Sequence, residues 1–297
     1  MAAIELVDVF TLDGAGGNPC PIVLDARGMS SADMQEVARR YGHESGFVLR
    51  ADNEVDDFHF RFFVPGHEME MCGHATIGAL WLLYRQGQLS GDTVHIATKS
   101  GPVTGFVSRG DDGEPLIEIT QPEGRIAPLP DAKVNEAVLL SVLGITTNEL
   151  APLPIQNACT SRVKTLVPLK SAAVLDELKP DFRRIESLCE RIESTGLYPY
   201  ALADSDEQIF DARQFPKSSG YPEDAATGIA AAALAFGLLE NNLVAPIDRP
   251  IRIRQGRVMG RPSEITVRFR VSDGRAYGCR VGGYVRLEQS ATKAPPA

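Results

Sequence analysis

Two segments of this chain, residues 74–84 (HATIGALWLLY) and 225–239 (AATGIAAAALAFGLL), read as helices with no polar face. A helix that is apolar all round has to be buried on every side. Both segments fall short of the ~18 residues that a membrane span needs. They must therefore lie inside the protein, and strand-like runs flank each of them in sequence. A curved sheet wrapped around each helix is the simplest arrangement that satisfies both.

The strand-like runs are rich in β-branched and aromatic residues. In the first part they fall at 4–10, 21–24, 47–49, 58–64, 93–97, 105–108 and 116–120. A turn-rich stretch occupies 14–19, and Ser31 is placed to cap a helix that Met34, Val37 and Ala38 carry to Tyr41. The same grammar then repeats. A helix is predicted at 134–143, and strands at 153–157, 163–167, 197–203, 208–214, 251–254, 264–271 and 277–281. The Pro-rich stretch 121–130 reads as a linker between the halves, and the tail after Glu288 is expected to fray. The predicted class is α+β: two similar halves, each a curved sheet around one buried helix.

Composition sets the outer bounds. At ~150 residues per domain, 297 residues make about two domains. With 43% hydrophobic and 23% charged residues the chain is an ordinary globular one. Its net charge of −9, with no Lys/Arg-rich run, argues against nucleic acid or an anionic membrane as partner. The first basic residue is Arg27, so a signal or transit peptide is not expected. Five scattered cysteines without a CxxC fit reduced thiols, and the expected location is the cytoplasm.

Both apolar helices begin alike, as Cys72-Gly73-His74-Ala75-Thr76 and Asp224-Ala225-Ala226-Thr227-Gly228-Ile229. The first N–H groups of a helix lack partners inside it, and the helix dipole adds positive character there. Small residues leave those groups open, which suits a carboxylate ligand and needs no Arg. The same small residues also suit close packing of a sheet on each helix. Glu44, between Gly42 and Gly46, is either a general base or a solvated loop carboxylate. Asp224 is either a group that orients a substrate or a plain helix N-cap. His74 is a proton relay or a histidine satisfied at a helix start. Cys72 is an activated thiol or a small buried hydrophobe. His67, Cys72 and His74, with Glu68 and Glu70, are the one cluster of metal-ligand types, and their spacing matches no zinc signal; no metal is expected. Neither GxGxxG after the first strand, GxxxxGK[ST] nor GxSxG occurs, so no organic cofactor is indicated.

Taken in order, these motifs resemble the PhzF-like isomerases of phenazine biosynthesis, within the diaminopimelate epimerase-like superfamily. The resemblance rests on Val7-Asp8-Val9-Phe10-Thr11 with Gly17-Asn18-Pro19, on His43-Glu44-Ser45-Gly46-Phe47-Val48, and on Glu70-Met71-Cys72-Gly73-His74-Ala75-Thr76. It continues through Gly220 to Gly228, then Gln255-Gly256, Gly260-Arg261-Pro262-Ser263 and Val281-Gly282-Gly283. It implies two similar domains, each a mixed β-barrel-like sheet wrapped around a central buried helix: an N-terminal domain of residues 1–120 plus 282–297 and a C-terminal domain of residues 121–281, in a homodimer. It also implies proton transfer without a cofactor. Glu44 would carry the proton, and His74 and Asp224 would assist. Amides around Gly73 and Ala75, and around Thr227, Gly228 and Ile229, would hold a substrate carboxylate. In the second motif Ala225 and Ile229 stand where the family usually has Pro and Ser, which removes a hydroxyl next to Gly228 and points to a related small carboxylate rather than the phenazine precursor.

Two other readings remain. Met71-Cys72-Gly73-His74 also resembles the first cysteine motif of proline racemases and hydroxyproline epimerases, which use two thiols, but no cysteine stands at the second helix start. The third reading is a non-catalytic small-molecule binder that keeps the fold.

Overall fold

The computed structural model describes residues 3–110 and 113–288. Contacts divide the chain into two compact units, Met1–Thr120 with Gly282–Ala297, and Gln121–Val281. The architecture is α+β. The expected fraying after Glu288 concerns residues outside those described.

In the first unit, strands β1 (Glu5–Thr11), β2 (Asn18–Val23), β3 (Ser45–Arg50), β4 (Phe58–Phe63) and a short β5 (Glu68–Met69) are followed by β6 (Thr93–Thr98), β7 (Gly101–Arg109) and β8 (Pro115–Pro122). The helices are α1 (Ser31–Tyr41) and α2 (Gly73–Arg85). Antiparallel pairs join β1 to β2, β3 to β4, β6 to β7 and β7 to β8. Parallel pairs join β2 to β3 and β4 to β6. The last strand of the chain, Arg275–Leu287, pairs with β8 and runs antiparallel to β1. These pairings close a mixed ring of strands into a barrel.

Helix α2 fills that barrel, and every residue from Ala75 to Leu83 is buried. Its fit depends on glycine at the closest approaches. A Cβ on Gly78 would stand 2.9 Å from Val7 Cγ2, and one on Gly105 would stand 2.4 Å from Leu80 Cδ1. Helix α1 covers the outside of the barrel through Met34 and Ala38, packed with Val23, Phe47 and Phe63. Its cap is Ser30, not Ser31. The Ser30 hydroxyl accepts the Asp33 N–H at 3.2 Å while the Asp33 carboxylate accepts the Ser30 N–H at 2.8 Å. That reciprocal box needs its acid three residues after the cap, and Asp33 stands three after Ser30.

The second unit holds β9 (Arg125–Pro128), α3 (Ala132–Leu143), β10 (Gln156–Cys159), β11 (Val163–Pro168), α4 (Ala172–Glu177) and α5 (Phe182–Arg191). Next come β12 (Gly196–Asp204), β13 (Ile209–Ala212), β14 (Phe215–Pro216), α6 (Gly228–Glu240), β15 (Ile251–Gln255) and β16 (Ser263–Ser272). The sheet is mixed. Strands β9, β10 and β11 pair antiparallel in turn, β11 runs parallel to β12, β12 antiparallel to β13, β13 parallel to β15, and β15 antiparallel to β16. Helix α6 is packed against β9, β10, β11 and β16, and is buried from Ala230 to Gly237 and at Leu238. On the outer face, α3, α4 and α5 bury Leu139, Leu143, Leu175 and Leu188 against Val167, Leu197 and Phe215.

Several sequence expectations need correction here. The stretch 121–130 is no free linker, because it contains the end of β8 and all of β9. The second apolar helix starts at Gly228 rather than 225. Strand 153–157 lies further on, as β10. Helices α4 and α5 were not anticipated. Among the described residues no helix is long and apolar enough to cross a membrane.

Candidate active site

Glu44 is placed by two local devices. Gly42 ends α1 in a left-handed conformation (φ +70°), which ordinary residues rarely adopt, and its N–H returns to Ala38 O at 2.9 Å. Three residues after Gly42, Ser45 begins β3, fully buried, its hydroxyl donating to His43 O at 3.1 Å. Gly46 then lets β3 press against the first turn of α2, since a Cβ there would stand 3.3 Å from Ala75 Cβ. This contact brings Glu44 beside Cys72 and His74 at the start of α2.

The three side chains form a tight triangle. The Cys72 thiol donates to Glu44 Oε2 at 3.1 Å, His74 Nδ1 lies 3.3 Å from the same oxygen, and Cys72 Sγ lies 3.4 Å from His74 Nδ1. Glu44 keeps 26% of its side chain exposed, whereas His74 keeps 11%. The carboxylate is therefore the more reachable of the two groups, and the imidazole beside it is largely covered. Burial pushes the Cys72 thiol well above its ordinary pKa, and the negative Glu44 adds to this. At neutral pH Cys72 is a thiol that donates a hydrogen bond, not a thiolate nucleophile. Cys20 is fully buried and donates to Glu44 O at 3.1 Å; its pKa is also raised, first by burial and then by Glu44.

Among the described residues, Glu44, Cys72 and His74 are also the group whose metal-ligand atoms gather within 4.8 Å of one another. This is not the cluster the sequence suggested. Glu68 is turned away into an ion pair with Arg61 at 2.8 Å. The five cysteines are all free thiols.

The start of α2 has no side-chain cap, with Gly73 its first residue and Ala75 buried in its first turn. The start of α6 in the second unit is uncapped as well. Thr227 is the N-cap, Gly228 opens the helix, and Ile229 follows half-buried. Asp224 is thus three residues before the N-cap, and the N-cap reading of it is overturned. Its carboxylate instead accepts the Thr227 hydroxyl at 2.5 Å.

The backbone holding Asp224 explains this placement. Its N–H donates to Gln214 O at 3.1 Å, and its carbonyl accepts the Gln255 amide at 2.7 Å. Gln255 also reaches Thr227 Oγ1 at 3.3 Å and accepts the buried Tyr198 hydroxyl at 2.9 Å. Sequence reasoning noticed Gln255 only as part of a terminal signature and missed Tyr198 altogether. Gly256 is required next to it, with φ +77° and a Cβ position only 2.8 Å from Ala225 O.

The surface hollow between Gly124, Phe236 and Arg275, and a second one beside Phe182 and Tyr221, contain none of these residues. Chemically, the first unit offers a reachable carboxylate backed by two hydrogen-bonding groups at an open helix end. The second offers an open helix end with a carboxylate fixed beside it.

The chain is similar to known proteins over nearly its full length. A family model described as phenazine biosynthesis-like protein, PhzC-PhzF, matches residues 7–284. An uncharacterised isomerase, YddE, of Escherichia coli O157:H7 is 30% identical over 93% of both chains. The trans-2,3-dihydro-3-hydroxyanthranilate isomerase of Pseudomonas aeruginosa is 29% identical over 94% of both. The crystal structure of a PhzF-family phenazine biosynthesis protein of Bacillus anthracis superposes with a TM-score of 0.84, at 27% identity and 96% coverage of each chain. Fold, motif order and relatives agree: this chain belongs to the phenazine biosynthesis-like (PhzC-PhzF) family of isomerases.

Proposed function

We propose that this isomerase moves a proton between carbons of a small carboxylate substrate, with Glu44 as its acid–base group. Glu44 as carboxylate takes the proton from a C–H bond, and that bond's electron pair enters the substrate's conjugated system. Glu44 as carboxylic acid then returns the proton to a different carbon. Atoms and electrons balance without an oxidant, so the step asks for no redox partner. His74 steers the carboxylate and buffers its charge, and the Cys72 thiol fixes its orientation. The observation that carries this reading is the shared oxygen: Glu44 Oε2 meets both Cys72 Sγ, at 3.1 Å, and His74 Nδ1, at 3.3 Å, while the side chain stays reachable.

Gly73 and Ala75 supply N–H groups at the start of α2. In the second unit we assign the start of α6 an anion-binding role, with the amides of Thr227, Gly228 and Ile229 as donors and Asp224 as the orienting acid. The substrate class is an amino-acid-like or cyclic carboxylate. The name of the Pseudomonas aeruginosa relative supports the class, and the side chain of Ile229, which lacks a hydroxyl, favours a substrate other than that relative's own.

The test is incubation of the wild-type protein with a panel of such carboxylates in deuterated water. Carbon-bound deuterium in a panel member, read by mass spectrometry, is the expected result. Tight binding of a member without any exchange would replace the enzyme with a binding protein.

A further inference from the structure

Lys164 is buried to 5% exposure on β11, and neither the sequence reading nor the mechanism above uses it. Its direction follows from strand alternation. Thr165 and Val167 face outward, where Thr165 bonds Asn157 and Val167 joins the core under α3 and α5. Leu166 faces the other way, onto Gly237 of α6. Lys164 shares the face of Leu166. Tyr198 is paired with Leu166 in register, so it shares that face too. The Tyr198 hydroxyl reaches Gln255, and Gln255 reaches Asp224 and Thr227. Lys164 therefore lies on the buried face that also carries Tyr198, and Tyr198 is linked through Gln255 to the residues that precede α6.

Its amine makes no hydrogen bond or ion pair among the described residues, yet the charge of Asp224 acts on it. A buried ammonium without a hydrogen-bond partner is costly unless an anion comes to it. Burial draws its pKa down to about 8, Arg162 adds to this, and Asp224 and Cys189 oppose it. The amine is still charged at neutral pH.

We propose that Lys164 is a substrate-recognition residue whose ammonium, with the N–H groups opening α6, receives the carboxylate of the ligand. This deepens the anion-binding role given above to α6 and rests on it. It also explains how an acidic chain holds an acid: the cation is inside, paired with the helix end, where no surface tally of charge would reveal it. A charge-assisted hydrogen bond of this kind is worth about a tenfold to a hundredfold in affinity.

The experiment uses the full chain with anthranilate as probe, and aniline as the same ring without the carboxylate. Affinity is measured by calorimetry for wild type, Lys164→Met and Lys164→Arg, while the Gly228 amide is followed by NMR. Expected is anthranilate binding well ahead of aniline, a tenfold to hundredfold loss in Lys164→Met, and substantial recovery in Lys164→Arg. The Gly228 amide shifts with anthranilate in wild type. If Gly228 shifts and Lys164→Met binds as tightly as wild type, the Lys164 assignment is overturned and the α6 reading stands. If anthranilate binds no better than aniline and Gly228 is silent, both are overturned. Retained thermal unfolding of the Met variant separates loss of binding from loss of fold.

Discussion

Cys72 Sγ and Glu44 Oε2 lie 3.1 Å apart, and the thiol is the donor. That polarity separates two chemistries that share the Cys-Gly-His motif. A racemase of the two-thiol kind works in both directions, so each of its sulfurs must serve in turn as the thiolate that takes the proton while the other, as thiol, gives one back. Here burial and the adjacent carboxylate both hold the proton on sulfur. Cys72→Ser keeps a donor at this position, so it should retain turnover to within about tenfold, the worth of one ordinary hydrogen bond. Iodoacetamide at pH 7 should label Cys72 far more slowly than a free thiol. Rapid alkylation with inactivation, or a dead Ser variant that folds normally, would return the thiol mechanism to first place.

The Lys164 assignment carries a pH signature. Its pKa is lowered, so the amine is charged below about pH 8 and neutral above. Carboxylate affinity should therefore hold steady up to that pH and weaken above it, by about tenfold per pH unit once the amine is neutral. In Lys164→Met the same titration should be flat. The stability sign is the opposite: between about 8 and the ordinary 10.5 the unfolded chain holds a proton that the folded chain does not, so unfolding becomes harder as pH rises through that window. Calorimetric affinity measured across pH 7 to 10 checks the first point, and a flat wild-type profile would contradict it.

Gly256 is where the Asp224 segment is most exposed to a single methyl group. Its φ of +77° strains any L side chain, and a Cβ would stand 2.2 Å from Arg261 O and 2.8 Å from Ala225 O. Gly256→Ala should cost about 1–3 kcal/mol in urea unfolding. Because Gln255 holds Asp224 through its carbonyl, carboxylate binding should weaken as well. An Ala variant as stable as wild type would mean that this loop yields without strain.

The sequence showed the buried helices because hydrophobicity without a polar face has one solution in water, and α2 and α6 are both inside. Glu44, His74 and Asp224 were legible as candidates from their glycine-rich and helix-start settings. What eluded the reading was set by tertiary geometry. Nothing local says that Lys164 and Tyr198 share a face with the start of α6, since this depends on the parallel register of β11 with β12. Thr227 as the cap of α6 depends on Gln214, between β13 and β14, and Gln255, at the end of β15, holding Asp224 in place. Helix α5 was missed although its signals were present: Asp181 caps it, and Ile185, Leu188 and Cys189 make its buried stripe. Ser30 lost to Ser31 by one residue, where only the distance to Asp33 decides.

The central claim is that one carboxylate carries the proton. General acid–base catalysis contributes about 10²–10⁴-fold, so Glu44→Gln should lose at least that much turnover on a panel substrate, with circular dichroism and thermal unfolding unchanged. The most direct measurement is the rate of carbon-bound deuterium uptake from deuterated water, wild type against Glu44→Gln, on the same substrate at saturation. The account predicts that uptake falls by that factor or more while substrate still binds. Uptake at the wild-type rate in the Gln variant would contradict it.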